Sequence, residues 1–348
     1  MAKNNVDNGG LPRNVLVIRF SALGDVAIAI PVLYSMCLAY PHTRFVMLTR
    51  PWPAGMLIER PANLVVVDAE LTTDYKGLAG MLRLAAELRN QYHIDAVADL
   101  HDVLRSWAID ASMRLHGIAV ARIDKGRREK RALCKGRLHR QLTTSHDRYV
   151  AVFNRLGFNY TERFEGFAHV KSPLLPARDA GERWIAFAPF SQHEGKVYPM
   201  PLLEQVIGQV AAWPGVRIFL FGGGRQEKQA LHRLAVKYPH TMSIAELKHN
   251  FADEFALMAA CDVMVSMDSA NMHMAALTGT PVVSIWGATH PYCGFMGWRQ
   301  PLASAVQLEL DCRPCSVFGQ RRCKYGDYRC MTGIKPETIV EKIKQIIA

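Results

Sequence analysis

Short runs of β-branched and apolar residues alternate along this chain with longer segments whose apolar positions recur at helical spacing. NVLVIRF (residues 14–20) has the length of a strand, SALGD turns, and VAIAIPVLYSMCLAY continues as a helix. RFVMLTR and NLVVVDA read as further strands, GLAGMLRLAAELRNQY as an amphipathic helix, and DAVADLH as a strand. From residue 184 the alternation resumes with strand WIAFAPF, helix MPLLEQVIGQVAAW, strand VRIFLFGGG and helix RQEKQALHRLAVKY. Helix FADEFALMAAC, strand DVMVSMD, helix start SANMHMAALTG and strand PVVSIWG follow, and KPETIVEKIKQIIA closes the chain as a helix. Continuously apolar strands separated by helices predict parallel sheets covered on both faces.

KSPLLPARDAGER (residues 171–183), with two prolines, a glycine and several charges, separates the two alternations as a linker. This predicts a first doubly wound α/β domain over residues 1–175, a second over 176–334 and a terminal helix over 335–348. Residues 126–146 read as a basic, poorly periodic loop. Two such domains leave a cleft facing the carboxyl ends of their strands, where ligands bind.

Composition fits this reading. The chain has 348 residues, 49% hydrophobic and 21% charged, the usage of a soluble globular protein large enough for two domains. No stretch approaches 18 uncharged apolar residues, and MAKNNVDNGGLPRNV lacks the layout of a secretory signal, so a cytosolic protein is expected. The formal charge of +11 is uneven: residues 1–175 hold 24 Lys and Arg against 16 Asp and Glu, and residues 122–140 hold nine basic residues against two acidic ones. That segment suits phosphates of any kind, including an anionic membrane surface, whereas its lack of stacking aromatics counts against nucleic acid. Of eight cysteines, Cys312, Cys315, Cys323 and Cys330 fall within nineteen positions. Their spacing leaves a structural zinc site, disulfides or free thiols open, and no histidine or carboxylate pattern suggests a catalytic metal.

Chemistry-bearing residues gather where strands end. After the first strand, Gly24 allows a tight turn and close backbone approach, and Asp25 stands at a helix start, where it points into the cleft or merely caps the helix. G-x-G-x-x-G is missing, so a dinucleotide fingerprint is not met. Asp268, Ser269, Ala270, Asn271 and His273 lie between a strand and a helix, where unpaired amides and the Ser269 hydroxyl form a cradle for phosphate. There Asp268 orients the turn or meets the ligand, and His273 is a ligand contact or a satisfied buried histidine. Ser191 and Lys196 lie in SQHEGKVYP, and FGGGRQE (residues 221–227) by itself is a flexible turn.

Five segments, in order across nearly the whole chain, carry a resemblance: RFSALGDV (19–26), DLHDVLRS (99–106), FAPFSQHEGKVYP (187–199), MDSANMHMAALTGTPVVSIWGATHP (267–291) and the late cysteines. Together they resemble the ADP-heptose:lipopolysaccharide heptosyltransferases of glycosyltransferase family 9. Tyr198 stands where that family usually has tryptophan, and Ala270 and Asn271 replace its commoner glycine and leucine. The resemblance implies the GT-B fold, two Rossmann-like domains facing a cleft, and an inverting transferase that needs no cofactor.

It further implies that Asp25 accepts the proton of the acceptor hydroxyl, which is a poor nucleophile until that proton leaves. The positive end of the helix favours the charged carboxylate, so its contribution rests on placement. Lys196 is implied to neutralise the departing diphosphate, a point-charge task suited to lysine. Ser191, Lys196, Asp268, Ser269, Ala270, Asn271 and His273 are the implied donor contacts, with Glu227, or Arg225 two positions away, at the ribose. Ser21, Gly24, His101 and Arg105 are the implied acceptor contacts, whereas Asp99 and Asp102 read as turn or cap residues. The implied reaction moves heptose or a related sugar from a nucleotide sugar, ADP-heptose, to a lipopolysaccharide core or lipid A precursor. It would run at the inner face of the inner membrane, with the basic segment drawing a peripheral protein to anionic lipid. A nucleotide-sugar epimerase of the same fold would instead act on the donor alone, and a non-catalytic carbohydrate- or membrane-binding module would bind without turnover.

Overall fold

The computed structural model describes residues 10–348, and the polar opening over residues 1–9 lies outside the described residues. The chain forms two compact units, one reaching Lys125 and including Ser145–Glu165, the other comprising Gly126–Thr144 and Gly166–Ala348.

In chain order the first unit contains β1 (Asn14–Ile18), α1 (Leu23–Ala39), β2 (Arg44–Thr49), α2 (Pro51–Ala54), β3 (Leu64–Asp68), α3 (Gly77–Tyr92), β4 (Ala96–Asp99), α4 (Leu104–Leu115) and β5 (Ala119–Arg122). Next come α5 (Arg127–Cys134), which belongs to the second unit, and α6 (Ser145–Asn154), which returns to the first. The five strands form one parallel sheet in the order β3-β2-β1-β4-β5. Val15 to Ile18 and Phe45 to Leu48 are wholly buried, as strands covered on both faces must be.

The second unit continues with β6 (Arg183–Ala188), α7 (Met200–Ala211), β7 (Val216–Leu220), α8 (Arg225–Lys237), β8 (Thr241–Ser243), α9 (Phe251–Ala260), β9 (Val263–Met267), α10 (Ala270–Leu277) and β10 (Val282–Ile285). β11 (Ala305–Val306), α11 (Arg329–Thr332) and α12 (Pro336–Ile347) complete it. Its six strands are parallel in the order β11-β10-β9-β6-β7-β8, with Ile339, Val340 and Ile343 of α12 in the same core as Val206 and Val210 of α7. Among the described residues, no helix is long and apolar enough to cross a membrane.

Two segments depart from the sequence expectation. Residues 127–134, expected as loop, form α5: Lys130 and Leu133 are buried one turn apart, and their cationic neighbours hide that period. Lys130 itself is buried with its ammonium 4.2 Å from the centre of the Phe295 ring. α4 was not legible as a helix because its pattern is mixed, with Ser106 and Asp110 inside beside Ile109 and Met113, and Leu104 and Leu115 outside.

Candidate functional site

In the first unit, β1 leads directly into the Asp25 turn. Asp25 is the third residue of α1, and its Oδ2 accepts the Ala22 N–H at 3.1 Å and pairs with the Arg19 guanidinium. Arg19 is 6% exposed and donates through Nη1 to the Leu100 carbonyl at 2.7 Å, so the cation is anchored on the neighbouring strand end. The Tyr149 hydroxyl donates to the Asp25 carbonyl at 3.4 Å. Gly24 lies within the first turn of α1 rather than in the turn before it, and its backbone is not left-handed. The expected tight-turn role is therefore corrected: what remains at Gly24 is the small size that permits close approach.

His101 follows β4. Its Nδ1 accepts the Phe20 N–H at 3.3 Å, which puts the proton of the neutral ring on Nε2. Burial, reinforced by the Arg19 and Lys125 cations, pushes its pKa down to about 3. His101 is thus a neutral hydrogen-bonding group beside Asp25 and not a cation for anionic sugars, whereas Arg105 is exposed at the start of α4. Asp99 is wholly buried and organises this turn: Oδ1 accepts the N–H groups of His101 and Asp102 at 2.7 and 3.0 Å, and Oδ2 accepts the Ser106 hydroxyl at 2.8 Å.

Sequence reasoning missed Arg19, Asp110 and Arg122. Arg122 donates to Asp110 Oδ2 through Nε and Nη2 at 2.8 and 2.6 Å, and its Nε lies 3.5 Å from Asp99. Burial, with the Asp99 carboxylate close by, pushes the Asp110 carboxyl up to about 7. The available signal was an aspartate repeated along one stretch (Asp99, Asp102, Asp110), followed by an arginine at the next strand end.

In the second unit, the ends of adjacent strands β6 and β9 bring the two expected motifs together. Lys196 Nζ lies 3.0 Å from Asp268 Oδ2, which also accepts the Thr289 hydroxyl at 2.8 Å. The Ser191 hydroxyl donates to the Asp268 carbonyl at 3.1 Å. Ser269 is the N-cap of α10, yet its hydroxyl makes no capping bond and instead lies 3.3 Å from the Ser266 hydroxyl. The first-turn amides at Ala270 and Asn271 have no intrahelical acceptor, which is the arrangement an anion needs. His273 is buried further along α10. Glu227, the expected ribose contact, caps its own turn: Oε2 accepts the Gly223 N–H at 2.7 Å, and Arg225 is exposed.

The Lys196 loop is fixed from two sides. Tyr198 is fully buried, and its hydroxyl donates to the Ile334 carbonyl at 2.7 Å, a bond that accommodates tyrosine at this position. From the other side comes the cysteine-rich segment. Tyr328 donates to Glu194 at 2.8 Å, the Cys315 N–H donates to the Ala288 carbonyl at 2.8 Å, and Gly319 lies against the Lys196 stem.

Cys312, Cys315, Cys323 and Cys330, for which a structural zinc site, disulfides and free thiols were all open, are unpaired thiols in the structure. Among the described residues no three His, Cys, Asp or Glu side chains are placed to hold a metal ion, and all eight cysteines are free. Cys315 turns its thiol to the Cys312 carbonyl at 3.1 Å, Cys323 to Asp327 at 3.8 Å, and burial pushes the Cys330 thiol up to about 11.

A sequence profile of glycosyltransferase family 9 (heptosyltransferase) matches residues 81–326, more than half of the chain. Lipooligosaccharide heptosyltransferase 2 of Campylobacter jejuni subsp. jejuni is 27% identical over 133 residues, so the matched part spans 37% of this chain and only 40% of that protein. Lipopolysaccharide core heptosyltransferase OpsX of Haemophilus influenzae is 22% identical over 319 residues, 86% of this chain and 83% of its own length. Among solved structures, the E. coli heptosyltransferase WaaC with ADP matches with a TM-score of 0.66 at 18% identity, covering 96% of this chain and 99% of that one. The fold, two Rossmann-like units of the GT-B type, is shared with it.

Proposed function

Because this chain belongs to glycosyltransferase family 9, the heptosyltransferase family, we propose that it transfers a heptose from ADP-heptose to a lipopolysaccharide core or lipid A precursor, with inversion at the anomeric carbon. The observation that carries this reading is the Lys196–Asp268 pair at 3.0 Å beside the amide-lined start of α10, an anion site at two adjacent strand ends. Support for the donor comes from relatives: one similar structure holds ADP, and OpsX is a lipopolysaccharide core enzyme.

In this reading the donor diphosphate lies on the first-turn amides of α10 and draws the Lys196 ammonium to itself as negative charge develops. Asp25, held by Arg19 and the Ala22 amide, receives the proton of the acceptor hydroxyl. The hydroxyl oxygen bonds to the anomeric carbon as the bond from that carbon to the diphosphate breaks, so ADP leaves with the electron pair and the Asp25 carboxylate keeps the proton. Neutral His101, with its proton on Nε2, donates a hydrogen bond to the acceptor beside Asp25. We place the protein in the cytoplasm at the inner face of the inner membrane, where such an acceptor is presented.

The test pairs a binding panel with a turnover assay. ADP-linked ligands should raise the melting temperature more than UDP- or GDP-linked ones, and equal shifts for all three would remove the donor assignment. Asp25→Asn should keep donor binding and lose transfer. Full transfer by that variant would reassign the base, and an epimerised nucleotide sugar formed without any acceptor would make the protein an epimerase.

A further inference from the structure

We propose that the outer face of α4 is the surface on which this chain rests against an anionic lipid bilayer, an inference that rests on the reading of the acceptor as lipid-linked. α4 carries apolar side chains on both faces. Its inward positions include Ser106 and Asp110 beside Ile109 and Met113, whereas Leu104 is 77% exposed, Trp107 39% and Leu115 86%, with Ala111 also in solvent. Residues 104, 107, 111 and 115 share one face of a helix. Isolated exposed leucines are ordinary, but an apolar strip along a whole helix marks an interaction surface.

The polar groups on the inner face explain why the strip faces out. Ser106 donates to Asp99 at 2.8 Å, and Asp110 is held doubly by Arg122, so rotating the helix to bury its leucines would strand a hydrogen-bonded carboxylate network in water-facing positions. The network also fixes Trp107, whose indole N–H donates to Asp102 at 2.8 Å while the Arg122 guanidinium lies 5.4 Å over its ring. Trp107 is therefore a rigid, half-exposed aromatic.

Charge identifies what covers the strip. Arg105 and Arg114 are exposed on its two sides, and the one acidic residue of α4, Asp110, is buried and paired. α3, which packs against α4, exposes Leu78 and Leu82 one turn apart. Leucines at the acyl boundary, a tryptophan at headgroup level and flanking arginines on phosphates form the chemistry of an anionic membrane interface. The same helix begins two residues after Asp102, on the turn that carries His101, so a chain resting on α4 holds its acceptor-side residues close to the lipid.

The full chain, mixed with vesicles of equal parts phosphatidylglycerol and phosphatidylethanolamine, should co-sediment. Leu104→Ser with Leu115→Ser should weaken that partitioning about tenfold or more, leave the melting temperature unchanged, and leave transfer to a delipidated, water-soluble acceptor unchanged. Absent vesicle binding, or binding by the double variant equal to the parent, would overturn the proposal. So would binding that follows only the charge of α5, tested with Arg128→Glu and Arg131→Glu, or a dimer of the parent chain that the two serines dissolve. No transfer to any acceptor, together with vesicle binding that responds to the serines, would refute the transferase reading and leave the docking face standing.

Discussion

Arg19 holds Asp25. The arginine is almost fully buried, bonds the Leu100 carbonyl at 2.7 Å and pairs with the carboxylate from behind, while the Ala22 N–H fixes the same carboxylate oxygen at 3.1 Å. Two donors on one oxygen set the direction of the whole group. Misplacing a catalytic group by about 1 Å costs on the order of a hundredfold in rate. Arg19→Met is therefore expected to lower kcat about tenfold to a hundredfold with donor affinity unchanged, and Arg19→Lys to recover part of the loss. Steady-state kinetics at saturating donor checks this, and a kcat for Arg19→Met equal to the parent would show the pair to be merely structural.

Lys196 and Asp268 pair with opposite charge at the site proposed for the donor diphosphate. They neutralise one another at 3.0 Å, so on the proposed reading a bound diphosphate has to compete with Asp268 for the ammonium. Lys196→Ala should weaken ADP binding about tenfold to a hundredfold, the worth of a charged hydrogen bond of about 1.5–3 kcal/mol, and leave binding of adenosine, which has no phosphates, unchanged. Asp268→Asn should bind ADP at least as tightly as the parent. Titration calorimetry separates the cases, and weaker ADP binding by Asp268→Asn would show that Asp268 supports the donor instead of competing for the lysine.

Asp110 makes stability depend on pH in an unusual sense. Its carboxyl, pushed up to about 7 by burial and by Asp99, is protonated in the folded chain at pH values where the unfolded chain has lost the proton. The folded state then binds more protons, so between about pH 4 and 7 this group's contribution to stability falls as pH rises. His101 acts oppositely: pushed down to about 3, it contributes stability that is lost as pH falls below about 6.5. The two partly cancel in the parent chain. Asp110→Asn removes one of them, so the variant should gain melting temperature from about pH 5 to 7 more steeply than the parent. Parallel pH curves for the two proteins would rule out the raised carboxyl.

Much of this was legible in the sequence because strands buried on both faces are mostly apolar. Val15 to Ile18, Ile185 to Phe187 and Val263 to Met267 stand out without any knowledge of their partners. Asp25, Lys196 and Asp268 could be located because they follow such strands. The rest was hidden where a local pattern is overruled by tertiary contacts. In α4, Asp110 is inside because Arg122, twelve residues on, meets it there. In α5, Lys130 is buried because Phe295, distant in sequence, offers its ring. Gly24 looked like a turn glycine, yet the turn is made before it. The spacing of Cys312, Cys315, Cys323 and Cys330 leaves zinc, disulfides and free thiols open, because spacing says nothing of where the thiols point.

The cysteine-rich segment packs against the Lys196 stem. Gly319 has φ +81°, and a Cβ built there would lie 2.6 and 2.7 Å from Cγ and Cδ of the lysine, closer than side chains tolerate. Gly326, in the same segment, has φ +77° with nothing within 4 Å of such a Cβ. Alanine at either position meets the same left-handed backbone penalty, about 1 kcal/mol, but only at 319 does it also push the lysine stem. Gly319→Ala and Gly326→Ala should therefore lower the melting temperature by similar amounts, while only Gly319→Ala weakens ADP binding, by about tenfold or more as a charged contact is lost. Both variants binding ADP like the parent would release Lys196 from the segment's control, and equal weakening by both would trace the loss to strain in the loop instead of to contact with the lysine.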